Sequence, residues 1–336
     1  MRDDVIVLAH GGGGTLGRAL LEEVILPELA NDALAELGDA AVIESPGGRL
    51  AFTTDSFVVK PLFFRGGDIG RLAVSGTVND LAVTGARPMW LSLGLVIEEG
   101  FAVADLRRIV GSAAAAARES GVEVVCGDTK VVGRGEADGI FINTSGVGVV
   151  REGVVLSPSA ARPGDAVIVS GGLGEHGIAV MSEREGISFE TPVISDVAPL
   201  WGLVDAVLST GADIHVMRDP TRGGAAASLN EIAGASGVTI ALNEESLPVS
   251  AEVSAACDML GLDVLSVANE GKVLVICPEA EADRVLSACR RHPLGDRACL
   301  IGSVGESRGV DLILETAFGG ERVVEMPYGE SLPRIC

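Results

Sequence analysis

The sequence predicts a two-domain α+β protein whose mixed or antiparallel sheets are covered by helices. Three observations predict it. Strand-like and helical runs alternate through the first half, two pairs of strands there are direct neighbours, and a Ser/Pro/Gly-rich break near 151–165, SPSAARPGD, precedes a second alternating set. The expected divisions are a glycine-rich segment and helix over 1–40, an N-terminal domain over 41–155, a C-terminal domain over 156–315 and a mobile tail over 316–336.

The first apolar run, Val5 to Ala9, enters the loop HGGGG, and an amphipathic helix follows from Leu16 to about Leu37. AVIES and GRLAFTTDSFVV read as strands, the second stopped by Pro61. A helix over Ile69 to Thr84 is ended by Gly85 and Pro88. MWLSLGLVIE is strand-like, DLRRIVGSAAAAARES is a helix closed by Gly121, and VEVVCGDTKVV and GIFINTSGVGVV are two further strands. Past the break come strand DAVIVSGG, a helix from His176 to Arg184, and a helix over VAPLWGLVDAVLST. IHVMRDPT, a helix from Gly224 to about Ala235, VTIALNE and a helix around 250–259 come next. A strand through DVLSVANEGKVLVICP, helix EAEADRVLSACRRH and two or three strands lead to the tail.

With 336 residues, 47% of them hydrophobic and only 3% aromatic, the chain can build a large core mostly from Ala, Val, Leu and Ile. A net charge of −22 argues against nucleic acid or anionic membrane as partners, because phosphate contacts need a basic patch. Any phosphate ligand must be held by backbone amides, a metal ion or a few placed cations. No secretory signal follows Met1-Arg2-Asp3-Asp4, and no apolar run approaches the roughly 20 residues that span a bilayer, so a cytoplasmic protein is expected. The six cysteines, at 126, 257, 277, 289, 299 and 336, include no CxxC pair and are expected to be reduced thiols. Cys126 and Cys277 sit in apolar strand-like runs and read as core.

VIVLAHGGGGTLGRALL holds G-x-G-x-x-G at Gly12, Gly14 and Gly17 between a strand and a helix, the setting of a dinucleotide fingerprint. Against that, Glu44 comes late for the acidic residue such a site needs about 20 residues on, and no βαβ rhythm follows. The loop can equally be a plain connector or close over another phosphate. A P-loop is excluded, since Arg18 stands where no Lys-Ser/Thr pair occurs. His10 reads as a structural or loop contact.

Carboxylates stand at the ends of apolar runs: Asp55 in TTDSF, Asp80 beside Asn79 in TVNDLA, Asp128 beside Thr129 in GDTK, and Asp219 in RDPTRGG. One alone is a cap or turn former. Four, each beside small or hydroxylated residues, make a set of hard oxygen ligands of the kind Mg²⁺ takes when it also binds substrate phosphates. In RDPTRGGAAASLNEIA, Gly223 and Gly224 lead into a helix whose first amides are unpaired, an anion site that Thr221 can cap and Arg222 can reinforce. SGGLGEHG, from Ser170 to Gly177, offers a second junction of that kind. Lys130 in GDTKVV and Glu270 in the Glu270-Gly271-Lys272 run are charges among valines. Each is either solvated at a strand end or turned into a cleft, where burial would bring its pKa toward neutrality.

The last residues, PRIC, put a cysteine at position 336. Eight residues from Gly329 to Cys336 reach roughly 25 Å at about 3.3 Å each, with Gly329 as a hinge and Pro333 keeping its neighbour extended. Arg334 is placed to offset a terminal carboxylate.

Taken together and in order, HGGGG, TTDSFVV-P, NDLAVTGARP, VVCGDTKVV, DPTRGG, NEGK and PRIC resemble the HypE family of hydrogenase-maturation carbamoyl dehydratases. That family lies within the superfamily of aminoimidazole ribonucleotide synthetase (PurM-like) and selenophosphate synthetase. The resemblance implies a two-domain PurM-like architecture and a homodimer in which N-terminal sheets pair into a barrel. It implies that Cys336 receives a carbamoyl group from HypF, that ATP and Mg²⁺ serve its dehydration to a thiocyanate, and that cyanide passes to the iron of nickel–iron hydrogenases through HypC–HypD. By match, Asp55, Asp80, Asp128 and Asp219 would hold Mg²⁺, and Asn79, Thr129, Thr221, Arg222, Gly223 and Gly224 would join them around the nucleotide. Cys336, Lys130 and Glu270 would be catalytic. The rivals are a superfamily ligase or selenophosphate synthetase acting on a soluble substrate, and a non-catalytic scaffold that presents its tail.

Overall fold

The structure, a computed structural model, describes residues 5–12, 14–29, 31, 34, 46–186, 192–328, 332 and 334–336. The expected strand AVIES, the last turns of the first helix, Gly329 and Pro333 lie outside the described residues. Within them, α1 (Gly14–Leu20) runs on through one wider turn, Leu21–Ile25, and a last turn, Leu26–Leu29.

The first domain is built on a four-stranded sheet. Its strands are β1 (Leu50–Phe57), β4 (Ala86–Glu98), β5 (Glu123–Val132) and β6 (Ile140–Val150), in the order β1-β6-β4-β5. β6 is antiparallel to both β1 and β4, while β5 runs parallel to β4. β2 (Phe63–Phe64) and β3 (Gly67–Asp68) form a small hairpin that delivers the chain to α2 (Ile69–Val83). Asp68 caps that helix, its Oδ1 accepting from the Gly70 and Arg71 amides at 2.8 and 3.1 Å. Thr84 and Gly85, the latter at φ 78°, end it where Gly85 was expected to. α3 (Val103–Ser120) closes on Gly121 in the left-handed region, as the sequence predicts.

Both helices lie on one face of the sheet. α2 is apolar almost all round because it is a middle layer: one side meets β1, β4 and β6, the other meets α5 (Trp201–Leu208) of the second domain. Gly76 is required there, since a Cβ would stand 2.9 Å from the Phe57 ring. Along β1, Ala51, Thr53, Asp55 and Phe57 turn toward α2, while Leu50, Phe52, Thr54 and Ser56 face out.

The second domain holds a seven-stranded sheet of β7 (Asp165–Val169), β8 (Val216–Arg218), β9 (Val238–Asn243), β10 (Leu274–Pro278), β11 (Cys299–Glu306), β12 (Leu312–Glu315) and β13 (Glu321–Val323). β7 lies inside the sheet, between β11 and β10, and is wholly buried. One face packs on α6 (Gly224–Ser236), the other on α5 and α8 (Ala282–Arg290). α4 (Glu175–Glu185) and α7 (Ala251–Leu260) pack instead against the first domain's core, together with Leu332 and Ile335.

Three expectations need correcting. The strand predicted from Asp263 to Pro278 is β10 alone; residues before it make a short 3-10 turn and an extended loop whose Asn269 ties to the Gly174 amide and the Pro220 carbonyl. α5 begins at Trp201 rather than Val197, because the Leu200 amide is taken by Asn79 Oδ1 at 2.7 Å. The tail does not start at 316: β13 completes the sheet up to Val323.

Candidate active site

Four of the singled-out carboxylates meet where the domains touch. β1 brings Asp55, and α2 brings Asp80, one turn beyond Gly76 on the same helix face. Thr53 Oγ1 donates to Asp80 Oδ2 at 2.8 Å and fixes its direction. The loop after β8 brings Asp219, and the loop before β10 brings Glu270; both are buried.

Their electrostatics are mutual. Burial, followed by the Asp80 charge, pushes the Asp219 carboxyl up to about 7. Burial, followed by the charges of Asp219, Asp196, Asp55 and Asp80, pushes Glu270 well above the carboxylate range. Asp55 and Asp80 are raised by burial too, with Arg222 opposing in both cases. Glu270 Oε1 has no hydrogen-bond partner among the described residues. Such a group accepts a proton, or a cation brought by a ligand, at little further cost. Among the described residues, no three His, Cys, Asp or Glu side chains converge as a closed metal centre would. The hard oxygen donors still fit Mg²⁺, which keeps its waters and takes one or two carboxylates when phosphate oxygens supply the rest.

The tail reaches this region. The Val58 amide donates to the Cys336 main-chain oxygen at 3.1 Å and the Lys60 amide to the Arg334 carbonyl at 3.2 Å. That register is antiparallel and extends the ladder past the end of β1, so the chain runs back toward Asp55 as it ends. Leu332 and Ile335 are buried and Cys336 is half-buried against the core.

Residues 37–150 match the family of AIR synthase related protein, N-terminal domain, and residues 162–315 match its C-terminal domain. The carbamoyl dehydratase HypE of Rhizobium leguminosarum bv. viciae is 52% identical over 332 residues, 98% of this chain and 95% of that protein. The chain belongs to the HypE family. A crystal structure of hydrogenase maturation protein HypE in complex with ATP, 46% identical, superposes with a TM-score of 0.95 over 98% of this chain and 99% of that one. The HypE chain of a HypE–HypF complex, 50% identical, gives 0.81 over 92% and 100%. The fold is the two-domain PurM-like one.

In this HypE-family chain, several expected site residues stand elsewhere. Asp128, Thr129 and Lys130 lie on β5, three strands from β1, or about 14 Å at the usual strand spacing. Asp128 is 76% exposed, pairs with Lys130 at 3.8 Å and accepts from the Thr129 amide. Within one chain it does not join Asp55, Asp80 and Asp219, and Lys130 is solvated. Asn79 is a domain clamp: its Nδ2 donates to the Ala198 and Glu270 carbonyls at 3.1 and 3.2 Å, and its Oδ1 is taken by Leu200. Both of its amide hydrogens are spent, so it has no donor left for a nucleotide.

Thr221 does not cap α6. The N-cap is Gly223, without a side-chain bond, and Thr221 gives its carbonyl to the Gly224 amide. Gly223 and Gly224 are at φ 75° and 61°, and a Cβ on Gly224 would meet the Leu265 carbonyl at 2.4 Å. The Gly224 amide is thus spent, and an anion would meet the other amides of this first turn, with Arg222 exposed beside them. The other junction is filled: the Gly174 amide goes to Asn269 and the Gly177 amide to the Ala268 carbonyl. At the N-terminus, Gly12 ends a 3-10 turn and Val5 makes only an isolated bridge, so among the described residues no sheet strand precedes the glycines and the dinucleotide reading falls. His10 is buried, and its Nδ1 accepts from the Val7 amide. Arg334 does not serve the chain end; its Nε donates to the Val58 carbonyl at 2.9 Å and its Nη1 pairs with Asp138. Cys277 is core, its thiol pushed up to about 12 by burial.

The sequence reading missed Asp196, Lys272 and His176. Asp196 accepts from the Glu270 and Gly271 amides at 3.2 and 3.0 Å. Lys272 is buried between Asp196 and Glu175, 3.2 Å from each; burial works to lower its pKa, but the two carboxylates outweigh it and hold the ammonium charged. The apolar run around NEGK was the one available signal, and it could not tell which of the two charges would be neutralised.

Proposed function

We propose that this protein dehydrates a thiocarbamate carried on its own Cys336 to a thiocyanate, at the expense of ATP, and so supplies cyanide for the iron of nickel–iron hydrogenases. The observation that carries the reading is the Val58–Cys336 pairing, which lays the carrier residue along the strand that holds Asp55. The names of the relatives, carbamoyl dehydratase and an ATP-bound HypE, support it.

The amide oxygen is a poor leaving group until the γ-phosphoryl of ATP is transferred to it. The C–O bond then breaks with loss of phosphate, the nitrogen gives up both protons, and the C≡N bond forms. Mg²⁺ held by one or two of Asp55, Asp80 and Asp219 would cancel polyphosphate charge and supply electrostatic stabilisation to the transfer. The Gly223 amide and Arg222 would bind phosphate oxygens, with Gly224 letting the backbone approach closely. Glu270 is the candidate base: neutralising the neighbouring carboxylates lets it ionise, while its burial, the largest cause of its raised pKa, keeps the ionised form a good proton acceptor. Asp128, Thr129 and Lys130 would contribute from a second copy of the chain. The outer face of the N-terminal sheet favours such a copy: among the described residues no helix covers Leu50 and Phe52, which are 55% and 70% exposed. A homodimer closed by two such sheets into a barrel would bury it.

HypF would deliver the carbamoyl group, as the HypE–HypF complex supports, and HypC–HypD would take the cyanide. Among the described residues no helix is long and apolar enough to cross a membrane, which accords with a cytoplasmic setting. Intact-mass analysis with HypF, carbamoyl phosphate and ATP tests the reading. Cys336 should gain a carbamoyl group and then lose one water, and Cys336→Ala should do neither. Modification that persists in the variant would overturn it.

A further inference from the structure

The docked tail is held most deeply by a residue outside the nucleotide site. His176 lies in the first turn of α4 and is fully buried. Its Nε2 is 2.8 Å from the Ile335 carbonyl and its Nδ1 is 2.8 Å from Ser195 Oγ. A carbonyl only accepts, so Nε2 carries the proton and Nδ1 accepts from the Ser195 hydroxyl. The Val197 amide donates to the same hydroxyl oxygen at 3.2 Å, which leaves its hydrogen for the ring. The edge of the Phe64 ring packs against the imidazole at 5.4 Å between centroids. Both tautomer and orientation are therefore fixed. Arg184, two turns along α4, donates to the next carbonyl back, that of Arg334, at 2.7 Å.

The segment that orients His176 also orients Glu270. Ser195 holds the imidazole, and its neighbour Asp196 receives the Glu270 and Gly271 amides. One short loop thus sets the position of the tail and of the carboxyl group proposed to take the substrate's protons.

Resting on the function proposed above, we infer that His176, fixed by Ser195, is a positioning residue that seats the Cys336 tail against the Glu270 loop for dehydration. It touches no reacting atom. Its donor is paired only while the tail is docked, so undocking strands a buried N–H, and the docked state is favoured by the strength of that bond. Carbamoyl transfer needs the tail outside and gains nothing from the latch.

The test uses the full-length chain and two readouts. The first is the rate of iodoacetamide alkylation at Cys336, followed by peptide mass because Cys126 and Cys299 are also partly exposed. The second is single-turnover water loss from carbamoylated protein, compared with carbamoyl transfer from HypF. With the tail resting docked, His176→Leu should speed alkylation by close to ten-fold, the worth of one buried hydrogen bond, while water loss slows by less, because the two factors multiply to about ten. Carbamoyl transfer, which draws on the released tail, should be as fast as in the parent or faster. His176→Gln, whose amide can donate to Ile335 and accept from Ser195, should stay within about two-fold of the parent on both. Ser195→Ala provides the same test if His176→Leu does not fold. Unchanged alkylation in folded His176→Leu or Ser195→Ala overturns the latch, and so does a Gln variant as defective as Leu. If the parent protein loses no water, the proposed function fails, and the alkylation readout still decides the latch.

Discussion

Asp219→Asn should stabilise the protein at alkaline pH when neither nucleotide nor divalent cation is bound. The Asp219 carboxyl sits at about 7 against an ordinary 3.8, because burial and then the Asp80 charge disfavour ionisation. In the unfolded chain the group ionises near its ordinary value. Its contribution to stability is fully present below that value. Between the two values the folded protein holds a proton that the unfolded chain has released, so stability falls as pH rises through the folded pKa. At about 1.4 kcal/mol per unit, a gap of about 3 units costs on the order of 4 kcal/mol by pH 8. Asparagine has no charge to bury and also relieves Glu270, whose pKa the Asp219 charge helps to raise. Thermal unfolding in chelator from pH 5 to 8.5 reads this directly. The variant's Tm should exceed the parent's by on the order of 5 °C at pH 8, and the gap should narrow toward pH 5. Parallel curves, or a variant less stable at pH 8, would refute the coupled cluster.

Asp80→Asn should leave carbamoylation at its normal rate and slow water loss; dehydration at full speed, read by intact mass, would remove Asp80 from the nucleotide site. Asn79→Ala strands the Leu200 amide and the Ala198 and Glu270 carbonyls, and should lower stability by about 2–4 kcal/mol in urea unfolding; an unchanged midpoint would deny the domain clamp. If Asp128 serves a site on another copy, inactive Asp128→Asn and Asp219→Asn proteins should recover about a quarter of normal dehydration when their subunits are exchanged, because half the dimers then hold one intact site. No recovery would confine Asp128 to its own chain.

The legible part of the fold was the part governed by local rules. α2 and α3 were read to within a few residues because a cap, a left-handed glycine and an unbroken apolar period mark their ends. What failed was set by distant partners. Val197 to Leu200 has helix-like composition, yet Asn79, over a hundred residues away, takes the Leu200 amide and delays α5. Residues before β10 have strand-like composition, yet Asn269 ties them to other loops. The site shows the same division. Asp55, Asp80, Asp219 and Glu270 could be singled out because each interrupts or ends an apolar run. Asp128 had the same local signature, and only the strand order separates it from the others. Asp196 and His176 act through groups distant in sequence, and neither is distinguished by its neighbours.

The docking of the tail has a consequence for how product leaves. The Arg334, Ile335 and Cys336 main-chain oxygens accept from Lys60, His176 and Val58. Those groups are the same whether the sulfur bears hydrogen, a carbamoyl group or cyanide. Bonds common to all three states cannot shift the balance between docked and released tail, since only a difference in affinity moves an equilibrium. Release after dehydration therefore has to come from elsewhere. One source is a partner that binds the extended tail more tightly than the cleft does. The other is the carboxylate cluster itself: when nucleotide and Mg²⁺ leave, Asp55, Asp80 and, above about pH 7, Asp219 again repel one another beside the strand on which the tail rests. On this reasoning the charge that makes the empty site costly to ionise also loosens the carrier, and adding Mg²⁺ with a non-hydrolysable ATP analogue should slow Cys336 alkylation.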